Sequence, residues 1–316
     1  MNGTMARRLT VSIAAATALA GVAACNSSDS SGSSGKGDKA GHKSVTRVSP
    51  IAALRSAEKS TDGADSARVE STTTMGTLMS MKSGGVMGWG DGFTGDMTIT
   101  YTGGTMADTM RQLGSDSMEA RYLPDAYYAK MGDAYARQVG GKHWIRYAYD
   151  DLAKIGGGSG AFLKEQMQNS SPNQTVKLLL ASGDVKKVGE ETVRGKRTTH
   201  YAGTVDVSDL AARSSHLTAS QLSDMKKQFD QAGITTEDVD IWVDAEDLLA
   251  KAVSKAAMAT GTLSSTTYYS DYGVKVSAAA PPASDTMDFK DILKTQGLTP
   301  GSGDTASGSS GTDSPS

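Results

Sequence analysis

The stretch Val-Asp-Ile-Trp-Val-Asp at positions 239–244 predicts a β-strand in which Trp242 lies on the same side as Asp240. A second strand returns from Leu249 and continues to about residue 260, so the two segments form a strand–turn–strand unit. Further strands are predicted at residues 184–188, 196–205, 264–270 and 274–277. The second half of the chain is therefore expected to be rich in sheet.

Alternating side chains predict strands in the first half as well. One alternation runs over residues 68–79, and in another Met97, Ile99 and Tyr101 alternate with polar residues. Similar short segments follow at residues 118–122, 127–131 and 142–147. Turn signals separate these segments and no βαβ spacing appears, so the pattern predicts an antiparallel meander.

Three helical regions interrupt the strands. Ser49 and Pro50 have the residue types of a helix N-cap and first helical position. A second region, residues 150–181, is broken by a glycine run and restarted at Ser171 and Pro172. The third begins with a capping box at Thr218, carries an apolar stripe that includes Phe229, and ends at Gly233.

Three segments of the second half resemble the LppX/LprG family of actinobacterial lipoproteins, which has the LolA-type fold: residues 188–205, 239–251 and 269–282. The resemblance extends loosely over residues 49–296 and implies a single domain of the α+β class. It implies a strongly curved antiparallel sheet, an unclosed half-barrel, with helices packed across its concave side. In relatives, the space between sheet and helices holds acyl chains of lipids or glycolipids. The family has no common catalytic residues.

The expected inner face of this sheet carries Met, Ser, Thr, Ala and Tyr where a filled core would carry Leu, Ile and Phe. Methionine is flexible and polarizable, and it adapts to guests of variable shape. Five residues are therefore predicted to line a ligand cavity: Met97, Met118, Ala120, Tyr122 and Ala129. The alternative is that the methionines simply fill gaps in an ordinary core.

The N-terminus has the three parts of a lipoprotein signal peptide over residues 1–24. Arg7 and Arg8 precede an apolar segment at 9–20, and Gly-Val-Ala-Ala-Cys at 21–25 resembles a lipobox. Cys25, the single cysteine, would carry a diacylglycerol and an N-linked chain such as palmitate. A buried cysteine and a transmembrane helix are the alternatives, but the neighbours of Cys25 are polar and the apolar segment is short of about 20 residues.

This signal predicts a protein anchored by lipid to the outer leaflet of the cytoplasmic membrane, on its extracytoplasmic side. Residues 25–48 are rich in Ser and Gly and predict a flexible tether. Residues 297–316 are again small and polar and predict a disordered tail. The net charge of −3 and the absence of a Lys/Arg cluster argue against nucleic acid as a partner.

Several short motifs resemble those of enzymes or of metal sites, but each lacks a feature that the chemistry requires. Residues 90–95 match the dinucleotide fingerprint, but a strand follows where the cofactor would require a helix. Ser-x-x-Lys occurs at 56–59 and 223–226 without the other motifs of penicillin-recognising enzymes. The four histidines lack ligand spacing, and the acidic residues at 238–247 lack the loop of a Ca²⁺ site. We therefore expect no catalytic residue, no metal and no cofactor.

Two classes of function lead, and a hydrolase is the third alternative. The first is a binding protein, a carrier or chaperone, for a lipid or other apolar ligand held between the curved sheet and the helices. The second is an envelope sensor or interaction module that uses the same fold to bind another envelope protein. A closed apolar pocket of several hundred Å³ favours the carrier, whereas an exposed groove favours the interaction module.

Overall fold

The computed structural model describes residues 49–155, 171–206 and 219–295. Within these ranges twelve strands form one sheet in the order β12-β6-β5-β4-β3-β2-β1-β11-β10-β9-β8-β7. The strands are β1 (Ser66–Met75), β2 (Met79–Gly88), β3 (Thr94–Gly103), β4 (Ser117–Tyr122), β5 (Ala126–Lys130), β6 (Trp144–Ala148), β7 (Lys186–Val193), β8 (Lys196–Asp206), β9 (Thr236–Asp244), β10 (Leu249–Met258), β11 (Gly261–Ser270) and β12 (Thr286–Asp288).

Neighbouring strands are antiparallel except for β12, which runs parallel to β6. The terminal strands β12 and β7 each have one neighbour and do not pair with each other, so the sheet is not closed into a barrel. The predicted α+β class with an unclosed, mostly antiparallel sheet is therefore confirmed.

Seven α-helices lie in the described ranges: α1 (Pro50–Asp62), α2 (Gly104–Gln112), α3 (Asp133–Ala136), α4 (Tyr149–Ile155), α5 (Asn173–Ser182), α6 (Ala219–Ala232) and α7 (Phe289–Thr295). None of these helices has the length and the apolar composition needed to cross a lipid bilayer.

Two helix ends follow from their sequence signals. The Ser49 hydroxyl accepts a hydrogen bond from the Ala52 amide at 3.2 Å, and Pro50 occupies the first helical position, as predicted. Gly233 has a φ of +70°. The Ile234 amide donates to the Phe229 carbonyl at 2.9 Å and the Gly233 amide donates to the carbonyl of residue 230, which is a Schellman ending. The predicted cap at Thr218 lies outside the described residues.

The main core lies between helices and one face of the sheet, at the end formed by β8, β9 and β10. Leu54 of α1, Leu179 of α5 and Phe229 of α6 belong to the same buried cluster as Val239 and Ile241 of β9. These helices therefore cover the concave face, in agreement with the predicted arrangement. Gly203 of β8 lets α5 approach closely, because a Cβ at this position would lie 2.8 Å from Leu179 Cδ1.

The opposite end of the concave face is filled by aromatic side chains. Five rings follow one another at centroid distances of 4.7 to 5.5 Å: Phe93, Tyr122, Tyr127, Tyr147 and Phe289. Burial raises the pKa of the Tyr122 phenol to about 12 and also raises the pKa of Tyr127 and Tyr147. These aromatic residues, here called the aromatic row, occupy the space beneath β4, β5 and β6.

The structure corrects two predictions and adds three elements that were not predicted. The alternation at 68–79 ends at Met75, where Gly76 adopts a φ of +47° and turns the chain into the unpredicted strand β2. Helix α2 and strand β12 were also not predicted. Residues 274–277 are not a strand, although their side chains alternate. Alternation was misleading here because the Val274 carbonyl accepts from the Ser66 hydroxyl instead of pairing in a ladder.

Candidate functional site: a cavity on the concave face

A partly open cavity of about 290 Å³ lies on the concave face. Its lining comes from seven neighbouring strands, from β4 across β3, β2, β1, β11 and β10 to β9, and from the beginning of α5. Seven strands laid flat would span about 29 Å at ~4.8 Å per spacing. One cavity touches all seven because the sheet curves around it.

The strand register determines which side chains enter the cavity. Val69, Ser71 and Thr73 of β1 lie opposite residues 269, 267 and 265 of β11. Side chains directly opposite in an antiparallel pair share a face. All six residues line the cavity, so every second position of these two central strands faces inward.

A group of hydroxyl side chains forms the floor of the cavity. Ser71 and Thr267 are hydrogen bonded at 3.1 Å, and Thr73 and Ser265 at 3.2 Å. We call the following six lining residues the hydroxyl floor: Ser71, Thr73, Ser83, Ser254, Ser265 and Thr267. Apolar side chains flank it, among them Met81, Met97, Ile99, Ala252 and Leu263. The cavity therefore offers both apolar and polar surface to an occupant.

Glu237 contributes a buried carboxyl to this lining. Its side chain lies on β9, two residues before Val239, and only 5% of the residue is exposed. Its Oε2 atom has no hydrogen-bond partner among the described residues. Burial raises the pKa of Glu237 from 4.5 to about 7, and a hydrogen bond with Ser254 opposes this shift. Lys255 is the other charged residue in the described lining.

The structure separates the five residues that the sequence predicted for the cavity. Met97 and Tyr122 belong to the lining, and Tyr122 also belongs to the aromatic row. Met118, Ala120 and Ala129 do not line the cavity, and the two alanines are 0% and 2% exposed. A role in ligand binding stays a prediction for each residue. Cys25 lies outside the described residues.

Sequence reasoning missed Glu237 and the hydroxyl floor. Glu237 has the same parity as Val239 and Ile241, which predicts that its side chain faces inward on β9. An acidic residue on the apolar side of a strand is a signal that could have identified it. The hydroxyl floor has no comparable signal, because its members are brought together by the pairing of β1 with β11, which are far apart in sequence.

The convex face carries a separate polar cluster around His200. The two ring nitrogens of His200 lie 3.1 Å from Glu191 Oε1 and 2.7 Å from Asp240 Oδ1. The ring stacks on Trp242 at 4.2 Å, and Lys251 Nζ lies 3.8 Å from the Trp242 ring centroid. These contacts join β7, β8, β9 and β10 on the outside of the sheet. Within the described ranges, no three His, Cys, Asp or Glu residues are grouped in a way that could hold a metal ion.

The fold and the cavity define an α+β protein whose unclosed sheet curves around a binding-sized space. No family model matches the chain. It is 58% identical over 258 residues to a Streptomyces griseus protein described as an uncharacterized 31.2 kDa protein in the rplA-rplJ intergenic region, covering 81% of this chain and 85% of the relative. It is 50% identical over 310 residues to the Streptomyces coelicolor protein named "Putative lipoprotein SCO4650", covering 94% and 100%. The chain belongs to the same family as these two Streptomyces proteins.

Among solved structures, the chain is similar to the Mycobacterium tuberculosis lipoprotein LppX, with 14% identity and a TM-score of 0.44. The similarity covers 73% of this chain and 98% of LppX.

Proposed function

We propose that the protein is a membrane-anchored lipoprotein that binds the chain of a lipid or other apolar ligand in the concave cavity and acts as a carrier or chaperone. The cavity itself is the observation that carries this proposal. Its volume of about 290 Å³ is near the lower end of the ~300–1,000 Å³ typical of small-molecule sites. Met81, Met87 and Met97 supply adaptable apolar surface along one side of it.

The place of action proposed is the outer leaflet of the cytoplasmic membrane. The support is the lipobox-like sequence ending at Cys25 and the name of the relative from Streptomyces coelicolor. Anchoring through Cys25 would leave residues 26–48 as a tether between the lipid and the sheet domain. The proposal includes no chemical step and no cofactor, and the partner is the ligand itself.

A fluorescent apolar probe tests binding directly. The full chain carrying Cys25→Ala is freed of co-purified lipid and titrated with N-phenyl-1-naphthylamine, whose fluorescence rises in apolar surroundings. We expect saturable binding at one site. In the variant Ser83→Trp, a large ring enters the cavity from β2, at one side of the floor, and competes with the probe. Removing about 50 Å² of buried probe surface costs about 1.4 kcal/mol, or about tenfold in affinity.

The neighbouring position provides a matched control. Lys82 lies on the same strand with the opposite parity, and its side chain is exposed. Lys82→Trp should therefore leave probe affinity unchanged, with both variants showing the circular dichroism of the unmodified protein. Absence of saturable probe binding would contradict the carrier function. The partly open cavity would then be a groove for an extended segment of an envelope protein, which is the alternative function.

A further inference from the structure

We propose that the occupant of the cavity is an amphiphile whose head group carries a hydroxyl, and that this hydroxyl hydrogen bonds to Glu237. This inference rests on the proposed function, because it names the ligand class of the same cavity. The proposed function assigns only an apolar chain to the cavity. This inference adds a polar group of the ligand and the residue that recognises it.

The first support is the unsatisfied Glu237 carboxyl. A buried polar atom without a hydrogen bond is costly, and each such atom in a folded protein calls for a physical explanation. Glu237 Oε2 is buried without a partner among the described residues, while the residue belongs to the cavity lining. A guest that donates one hydrogen bond at this atom removes the cost.

The second support is the hydroxyl floor next to this carboxyl. Val239 pairs with Ser254 and Glu237 with Ala256, so Glu237 and Ser254 are diagonal neighbours on the inner face. Ser254 in turn pairs with Ser265, which is hydrogen bonded to Thr73. The polar surface therefore runs from Glu237 across three further strands. A purely hydrocarbon guest would cover these groups without giving them partners.

The ionisation of Glu237 favours a hydroxyl over a charged head group. Because the pKa of Glu237 is raised to about 7, both forms of the carboxyl are present at neutral pH. A hydroxyl both donates and accepts, so it satisfies either form. A carboxylate head group would be repelled by the ionised form. An ammonium would require the ionised form of the carboxyl.

Among the residues that the structure describes, few charged or titratable groups lie near Glu237. On the strands that pair with β9 they are Lys255 on β10, next to Ala256, and Asp206 at the end of β8, which pairs with Thr236. In the described lining, Tyr122 and Tyr269 are the other titratable residues, and burial raises the pKa of both phenols. Both tyrosines therefore remain neutral hydroxyls near pH 7 and extend the polar surface without adding charge.

The test compares two ligands with the same alkyl chain and the same position of the oxygen, of which only the alcohol carries a hydrogen-bond donor. Dodecanol and dodecyl methyl ether displace N-phenyl-1-naphthylamine from the full chain carrying Cys25→Ala. We expect dodecanol to bind about tenfold more tightly than the ether, which is the usual size of one hydrogen bond to a group that is charged part of the time. In Glu237→Met the preference should disappear. In Glu119→Met, a substitution of a partly exposed glutamate paired with Lys130 on the other face, it should remain.

Two further hydroxyl ligands distinguish the natural sources of this group. 1-Dodecanoylglycerol represents glycerol lipids and dodecyl glucoside represents sugar-bearing lipids. If either ligand binds the protein with Glu237 more tightly than it binds Glu237→Met, the inference is supported, and the ligand that does so identifies the source of the hydroxyl. Equal affinities of dodecanol and its ether for the unmodified Glu237 protein would overturn it, without the need for a variant. Because probe binding is read first, loss of all binding is attributed to the proposed function and not to the head group.

Discussion

Burial of the Glu237 carboxyl links the stability of the fold to pH. The pKa of this carboxyl is about 7 in the folded protein, whereas its ordinary value is 4.5. Between these two pH values the folded state therefore keeps a proton that the unfolded state has already released. The free energy of unfolding therefore falls as pH rises from about 4.5 to about 7. At about 1.4 kcal/mol per unit of pKa, this contribution amounts to about 3 kcal/mol.

Glu237→Gln should remove this pH dependence, because the amide does not titrate. Urea denaturation gives the free energy of unfolding of both proteins at pH 4 and at pH 8. The value for the variant minus the value for the unmodified protein should be about 3 kcal/mol larger at pH 8 than at pH 4. The lowered pKa of other carboxyls, such as Asp285 beside His143, affects both proteins alike and cancels in the difference. Glu119→Gln, on the other face of the sheet, serves as the control. Parallel stability curves for Glu237→Gln and the unmodified protein would contradict the prediction.

Single residues were predictable where their signal is local. Ser49 and Gly233 act at helix ends, and the interactions that define them lie within five residues in the chain. Met97 and Tyr122 were found because strand alternation places them on the inner face. Ala120 follows the same alternation, yet it is buried outside the cavity. Alternation gives the face of a strand, but it does not give the position of a residue around the curve of the sheet.

At the scale of elements, helix α6 should depend on its contact with the sheet. Phe229 is buried in the main core with Ile234 and Val239. Phe229→Ala removes the ring and leaves a cavity, so it should lower the free energy of unfolding by about 3–5 kcal/mol. Chemical denaturation measures this loss. Lys226→Ala alters an exposed position on the same helix and should change stability by less than about 0.5 kcal/mol. Similar stability for both variants would mean that α6 does not contribute to the core.

The elements that were missed share a physical reason. Strand β2 contains Gly84 and Gly85, and glycine weakens both strand propensity and the alternation of side chains. In the structure Gly85 is required for close approach, since a Cβ there would clash with the Asp96 carbonyl oxygen. Helix α2 begins at Gly104, a residue that gives no sequence signal for a helix start. Contacts with other parts of the chain determine the conformation of these segments, and such contacts cannot be predicted from the pattern of a single sequence.

At the scale of the whole molecule, the cavity depends on strand order. Strand β1 pairs with β2, its neighbour in the chain, and also with β11, which comes near the end of the described residues. This long-range pairing brings the two halves into one sheet and places the hydroxyl floor at its centre. The resemblance to lipoproteins implied the curved sheet, whereas the cavity volume and the polar floor depend on particular side chains of this chain.

The membrane anchor concerns the molecule as a whole, because it would set where the cavity meets its ligand. Cys25→Ala removes the only thiol that could carry a diacylglycerol. Each acyl CH₂ contributes about 0.8 kcal/mol to membrane binding, so two or three chains give stable attachment. The unmodified protein should therefore enter the detergent phase of a Triton X-114 separation and should incorporate an alkyne-labelled fatty acid. Cys25→Ala should do neither, while Ser28→Ala, three residues further on, should behave as the unmodified protein. Fatty acid incorporation that persists in Cys25→Ala would rule out attachment at this residue, and the sheet domain would have to reach its ligand without the proposed tether.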